Sequence, residues 1–270
     1  MIRTDLAMEA KSLWEKSARK TTELPGVRAW EEGNLTWVDI LDREGAEALG
    51  KPVGTYVTME LPPYERDMRG RAEDLGQILG KLCKIEPKDS VLIVGLGNRG
   101  VTPDALGPQT VDGLFITRHL IHGLPKTFGS CRSVSALIPG VLATTGVESL
   151  ELVRGALAHV EPKCVICVDA LAAGSMERLC NTVQCCDAGI APGSGVGNCR
   201  AAFSRESLGV PVYAIGVPTV VDGGQGKGMI LTPRDIDARI RYLSGVISGG
   251  LNLFLHRDFS YEDFHQFVPV

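Results

Sequence analysis

The sequence has no uninterrupted apolar run approaching the ~20 residues of a membrane span, so no membrane partner is expected. Its amino terminus, M-I-R-T-D-L-A-M-E-A-K, lacks both the apolar centre and the small-residue cleavage site of a secretory signal. Positive charge is not in excess either: a net charge of −4 over 270 residues offers no broad basic surface, which argues against nucleic acid as a direct ligand. Internal repeats and low-complexity linkers are missing as well. What remains is the expectation of a soluble, cytoplasmic chain with a large core, whose eight cysteines stay reduced.

Several catalytic signatures are incomplete. Cys164 and Cys167 spell C-x-x-C, but they lie in the strand-like run C-V-I-C-V-D, where positions three apart point to opposite faces and cannot clasp one metal. His119 and His122 share a helix face without a third ligand at a recognised spacing, so no metal and no cofactor is expected. Ser194 is flanked by glycines but lacks the full G-x-S-x-G elbow, leaving backbone shaping as the use of its loop. G-L-G-N-R-G has the spelling of a dinucleotide fingerprint, yet no acidic residue stands about 20 positions on.

The stretch Ser90–Pro108, S-V-L-I-V-G-L-G-N-R-G-V-T-P-D-A-L-G-P, is what the chain does have. Val91 to Val94 is an apolar run too short for a helix, as in a strand buried on both faces of a parallel sheet. Gly95, Gly97 and Gly100 then allow unusual backbone or close approach, and the loop delivers Asp104. Loops at the carboxyl ends of such strands are where open α/β sheets place their sites. A helix-capping role for Asp104 is the plainer alternative.

Strand and helix patterns alternate from there. Helices are expected over about Arg66–Cys83, Ala105–His122, Val147–Val160 and Pro233–Leu255, the last with Thr232 as N-cap. Strands are expected at Val134–Ile138, Cys164–Val168 and Val210–Val217, with Leu35–Leu41 and Val53–Leu61 as outlying antiparallel strands ended by Pro62-Pro63. Residues 5–20 suit a short leading helix. The pattern reads as one α/β domain over 1–270: a three-layer, mostly parallel sheet with helices on both faces, its core in 88–256 and a small outlying sheet from 34–62.

Asp169 closes the expected strand Cys164–Val168 and offers a second carboxylate that can stand opposite Asp104 across one crevice. Two close carboxylates do not both ionise easily, so one keeps a proton while the other acts as base. The loop A-P-G-S-G-V-G-N, with Gly193, Ser194, Gly195 and Asn198, joins Gly95, Gly97 and Asn98 as a source of N–H donors for substrate or an oxyanion. Asp169 has its own plainer alternative, as a cap or as a partner for Arg178 or Arg200.

These residues resemble the germination proteases of endospore-forming bacteria. The likeness runs through T-D-L-A-M-E-A, V-L-I-V-G-L-G-N-R-G-V-T-P-D-A-L-G-P, A-T-T-G-V-E-S-L-E-L-V-R-G, V-I-C-V-D-A-L-A-A, A-P-G-S-G-V-G-N and V-P-V-Y-A-I-G-V-P-T-V-V-D. The resemblance implies an aspartic endopeptidase on a fold like that of hydrogenase maturation proteases, with Asp104 and Asp169 as its two aspartates. It implies small acid-soluble spore proteins as substrate, a homotetramer in the spore core, and a zymogen that trims its own amino terminus. The family's target, an acidic residue, an apolar one and then Ala, is similar to Thr4-Asp5-Leu6-Ala7-Met8-Glu9. That implies self-cleavage between Asp5 and Leu6 and a propeptide of residues 1–5.

Three rivals stand beside this reading. A nickel-dependent maturation protease shares the G-x-G-N loop. A peptidyl-tRNA hydrolase has a similar V-G-L-G-N motif, but at its very amino terminus. A non-catalytic spore protein keeping the fold for binding is the third.

Overall fold

A computed structural model describes residues 4–18, 24–61, 67–197, 200–222, 229–264 and 266–268. Among the described residues, nine strands form one sheet: β1 Val27–Glu32, β2 Leu35–Ile40, β3 Gly54–Glu60, β4 Val91–Gly95, β5 Val134–Leu137, β6 Cys164–Ala173, β7 Thr182–Cys186, β8 Val212–Asp222 and β9 Ile230–Leu231. Their order is β1-β2-β3-β7-β8-β6-β4-β5, with β9 on the outer end of β8. The core strands β8, β6, β4 and β5 are parallel, and β7, β3, β2 and β1 extend it antiparallel. The outlying strands expected from 34–62 are therefore continuous with the main sheet, because β3 pairs with β7, Met59 opposite Val183.

Alternation along the buried strands sends side chains to two separate cores. Val91, Ile93, Cys164, Ile166 and Val168 pack with the helices Met68–Leu82 and Ile236–Leu255 on one face. Leu92, Val94, Val165 and Cys167 pack with the helix Ser149–Val160 and with Ala7 of the helix Ala7–Ala18 on the other. Each fully buried aliphatic side chain contributes about 1.5–3 kcal/mol, so the two faces hold the sheet rigid between them. Cys164 and Cys167 fall in different cores, as strand geometry requires, and the described cysteines are free thiols.

Several boundaries differ from expectation for physical reasons. The helix expected from Arg66 begins at Met68, where the Asp67 carboxylate accepts the Gly70 N–H as a cap; residues 62–66, with Pro62-Pro63, lie outside the described residues. The expected helix Ala105–His122 is two, Leu106–Asp112 and Arg118–Gly123. Asn252 breaks it by donating to the Gly113 carbonyl and accepting the Phe115 N–H, both at 2.9 Å. The last helix starts at Ile236 with Asp235 at the cap position, since the Thr232 hydroxyl donates instead to the Thr219 carbonyl. Finally, β6 does not end at Asp169 but runs on to Ala173, and β8 likewise runs past Val217 to Asp222.

That last difference builds the crevice. Strand β4 stops opposite Val168, so β6 and β8 overhang it by several residues. From β4 the chain crosses to β5 on one side, while from β6 it goes to β7 and β8 on the other. The carboxyl ends of β4 and β6 are thus the switch point of the sheet, where open α/β folds leave room for a ligand.

Candidate active site

Asp104 sits on a short turn, Thr102–Asp104, nine residues beyond the end of β4. Its carboxylate accepts the Asn98 N–H at 2.7 Å, which ties the glycine loop into a closed ring. Gly97 makes the ring possible: its φ is +110°, and a Cβ there would stand 2.1 Å from the Asp104 carbonyl oxygen. Asn98 also accepts the Gly100 N–H through its own side chain. Gly95 closes β4, paired with Val168, and lies against the Gly107 carbonyl.

Asp169 lies within β6, 4 % exposed, and accepts the N–H of Ala170. Both carboxylates line one crevice of about 460 Å³, together with Gly97, Gly193 and Gly195. Burial pushes the Asp169 carboxyl well above the ordinary carboxylate range, and the charge of Asp104 pushes it further. Asp104 is raised as well by burial, against the opposing pull of the Asn98 N–H. Asp169 is the more deeply buried of the two.

The expected loop residues separate into distinct places. Gly193 takes the left-handed conformation at the crevice wall, and Ser194 and Gly195 form the next turn. Asn198 lies outside the described residues. His119 and His122 are on the short helix Arg118–Gly123, away from the crevice lining. Among the described residues, no three or more His, Cys, Asp or Glu side chains are grouped to hold a metal ion.

The chain's own amino-terminal segment forms part of the crevice wall. Asp5 lines the crevice, its N–H donating to the Ala172 carbonyl at 2.9 Å and its carboxylate accepting the Ala172 N–H at 2.8 Å. Ser194 donates from Oγ to the same carboxylate at 2.7 Å. Leu6 and Ala7 are wholly buried beside it.

A family model described as germination protease matches residues 5–225. The germination protease of Caldanaerobacter subterraneus subsp. tengcongensis is 41 % identical over 99 % of this chain and 98 % of its own length. That of Clostridium perfringens is 35 % identical over 99 % of both, and that of Priestia megaterium is 44 % identical over 82 % of this chain and 64 % of its own. The chain belongs to the germination protease family. Among solved structures, the [NiFe] hydrogenase maturation protease HycI from Thermococcus kodakarensis KOD1 aligns over 66 % of this chain and 98 % of its own, with a TM-score of 0.39 and 20 % identity, a likeness too slight to bear on function.

In this germination protease, three further residues near the site carry no motif. Lys51 and Gln184 line the neighbouring cavity and hydrogen-bond the amino-terminal segment, and Thr219 lines the crevice with a buried hydroxyl that finds no partner among the described residues. A glutamine between Val183 and Cys185 in an otherwise apolar strand was the one available signal, since burial of an amide demands partners. Lys51 and Thr219 gave none. No helix of the described residues is long and apolar enough to cross a membrane.

Proposed function

We propose that this germination protease is an aspartic endopeptidase in which Asp104 and Asp169 activate a water against a peptide bond. The observation that carries the reading is their shared crevice at the switch point, with one carboxyl driven to stay protonated by burial and by the other's charge. Asp104, whose carboxylate accepts the Asn98 N–H, takes a proton from water while the water oxygen attacks the peptide carbonyl carbon. Asp169 gives its proton to the carbonyl oxygen. When the C–N bond breaks, Asp104 passes its proton to the leaving nitrogen and Asp169 recovers its own from the tetrahedral intermediate. The aspartates end as they began, and the products are a carboxyl and an amine.

The substrates are small acid-soluble spore proteins, cut during germination in the spore core, and the working form is a homotetramer. The chain is made as a zymogen that removes residues 1–5 by its own activity. What supports this last step is that Asp5 lines the crevice of the two aspartates and that Leu6, next to it, is wholly buried.

The test incubates the purified protein with a small acid-soluble spore protein and maps the cut by mass spectrometry. A cut between an acidic and an apolar residue is expected. An intact substrate under conditions where the chain's own amino terminus is also untouched would leave a binding protein rather than an enzyme.

A further inference from the structure

Lys51 follows the left-handed turn at Gly50 after the helix Arg43–Leu49 and points into the fold, its side chain only 14 % exposed. A lysine so placed needs partners, because desolvation penalises its charge. Its closest ones lie on the amino-terminal segment: Nζ donates to the Thr4 carbonyl at 2.9 Å and stands 4.0 Å from the Asp5 carboxylate. Gln184, 7 % exposed in β7, behaves alike. Its Nε2 donates to the Asp5 carbonyl at 3.1 Å and its Oε1 accepts the Ala7 N–H at 2.8 Å, so one side chain grips the backbone on both sides of Leu6.

The remaining walls fit the same guest. A register shift at Leu171/Ala172 between β6 and β8 leaves the Ala172 N–H for a carboxylate. Gly195 leaves room for it, since a Cβ there would stand 2.2 Å from Asp5 Oδ2. Lys51 and three elements between residues 172 and 195 thus converge on one acidic side chain and the peptide bond after it. Two polar side chains, the buried Gln184 and the largely buried Lys51, would lose these partners if the segment left.

We propose that Lys51, Ser194 and the Ala172 amide form the subsite that reads an acidic side chain on the amino side of the cut bond, with Gln184 as the positioning residue that holds the backbone across it. Asp5, Leu6 and Ala7 occupy these places in the present structure as a substrate would. Lys51 supplies the charge that selects a carboxylate, and the Ser194 hydroxyl and the Ala172 N–H orient it. Gln184 aligns the carbonyl that the activated water attacks. This rests on the protease reading above.

The test uses the full chain and three fluorogenic peptides: one carrying Thr-Asp-Leu-Ala-Met-Glu, and two with Asn or Lys in place of the Asp. The Asp peptide should be cut about 10- to 100-fold better in kcat/KM than the Asn peptide, as expected for hydrogen bonds to a charged group. In Lys51→Met that ratio should fall to near one, Lys51→Arg should keep it, and Lys51→Glu should favour the Lys peptide. Gln184→Leu should slow the Asp and Asn peptides alike, chiefly in kcat, without changing their ratio. A Lys51→Met protein that folds and keeps the full ratio would overturn the proposal. If the parent cuts no peptide, the protease reading fails by itself. The subsite is then judged by anisotropy of the labelled Asp and Asn peptides, where an Asp preference lost in Lys51→Met supports it, and no preference, or one kept in Lys51→Met, overturns it.

Discussion

Ser194 Oγ donates a 2.7 Å hydrogen bond to Asp5 Oδ1 across 189 positions of the chain. A hydroxyl spent on a carboxylate is a recognition group, and the sequence around it, glycine on both sides, made it look like an incomplete nucleophile. The same contact fastens Asp5 to the turn whose glycines, Gly193 and Gly195, line the crevice that holds Asp104 and Asp169.

Removing either carboxylate should stop the chemistry. Asp104→Asn and Asp169→Asn are each expected to lower kcat by about 10²–10⁴-fold, because an amide can neither accept the water's proton nor supply one. Their circular dichroism should match the parent. Full activity in either variant would remove that residue from the mechanism.

Asp169 also predicts how stability depends on pH. Its folded pKa lies above the unfolded value of about 3.9, so the fold favours the protonated form. That contribution is complete below the unfolded value and drains away as pH rises toward the folded one. Asp169→Asn mimics the protonated group at every pH. Its Tm should therefore exceed the parent's by a margin that is small near pH 4 and grows through neutrality; a margin that shrinks with rising pH would contradict the assignment.

Leu6→Arg should block self-trimming. Leu6 is fully buried where it docks, and seating a charge there costs more than the ~1.4 kcal/mol that corresponds to tenfold in binding. Amino-terminal sequencing after incubation would find the parent beginning at Leu6 and the variant uncut. Trimming of the variant at the same bond would end the idea that the segment is a self-substrate.

Gly195→Ala places a methyl group 2.2 Å from Asp5 Oδ2 and 2.6 Å from the Ala172 side chain. The segment should leave its pocket, so that limited proteolysis cuts within residues 4–7 faster than in the parent. Self-trimming should slow at least tenfold while the Tm of the sheet core stays close to the parent's. Unchanged protection of the segment would show that the turn can shift to admit the methyl.

Chelation separates this mechanism from the metal-dependent rival. With two carboxylates as the proposed acid and base, activity should survive excess chelator. Loss of activity restored by a divalent ion would favour the nickel-dependent reading.

Most of the architecture was legible in local pattern. Val91–Gly95 is apolar at every position because both faces are covered, and that reads as a parallel core strand without any tertiary information. Element ends were less legible, since they are settled by groups distant in sequence. Asn252 interrupts a helix 137 positions away by taking the Phe115 N–H. Likewise, Asp169 looked like a strand terminus because the small residues after it carry no strand signal, yet pairing with β8 carries β6 on to Ala173.

By itself, the sequence determined the alternating α/β order, the glycine loop that presents Asp104, the apolar strand that carries Asp169, and the acid-apolar-Ala stretch at the amino terminus. These follow from short-range rules: side-chain period, glycine freedom and the order of elements. Only the tertiary structure decided that Asp104 and Asp169 share a crevice with differing proton affinities, and that Lys51, Gln184, Ser194 and Ala172 meet around Asp5. Burial and hydrogen-bond partnership are properties of groups brought together by the sheet. Residues 51, 172, 184 and 194 come from a loop, a strand overhang, a neighbouring strand and a turn, and no local pattern could bring them to one carboxylate.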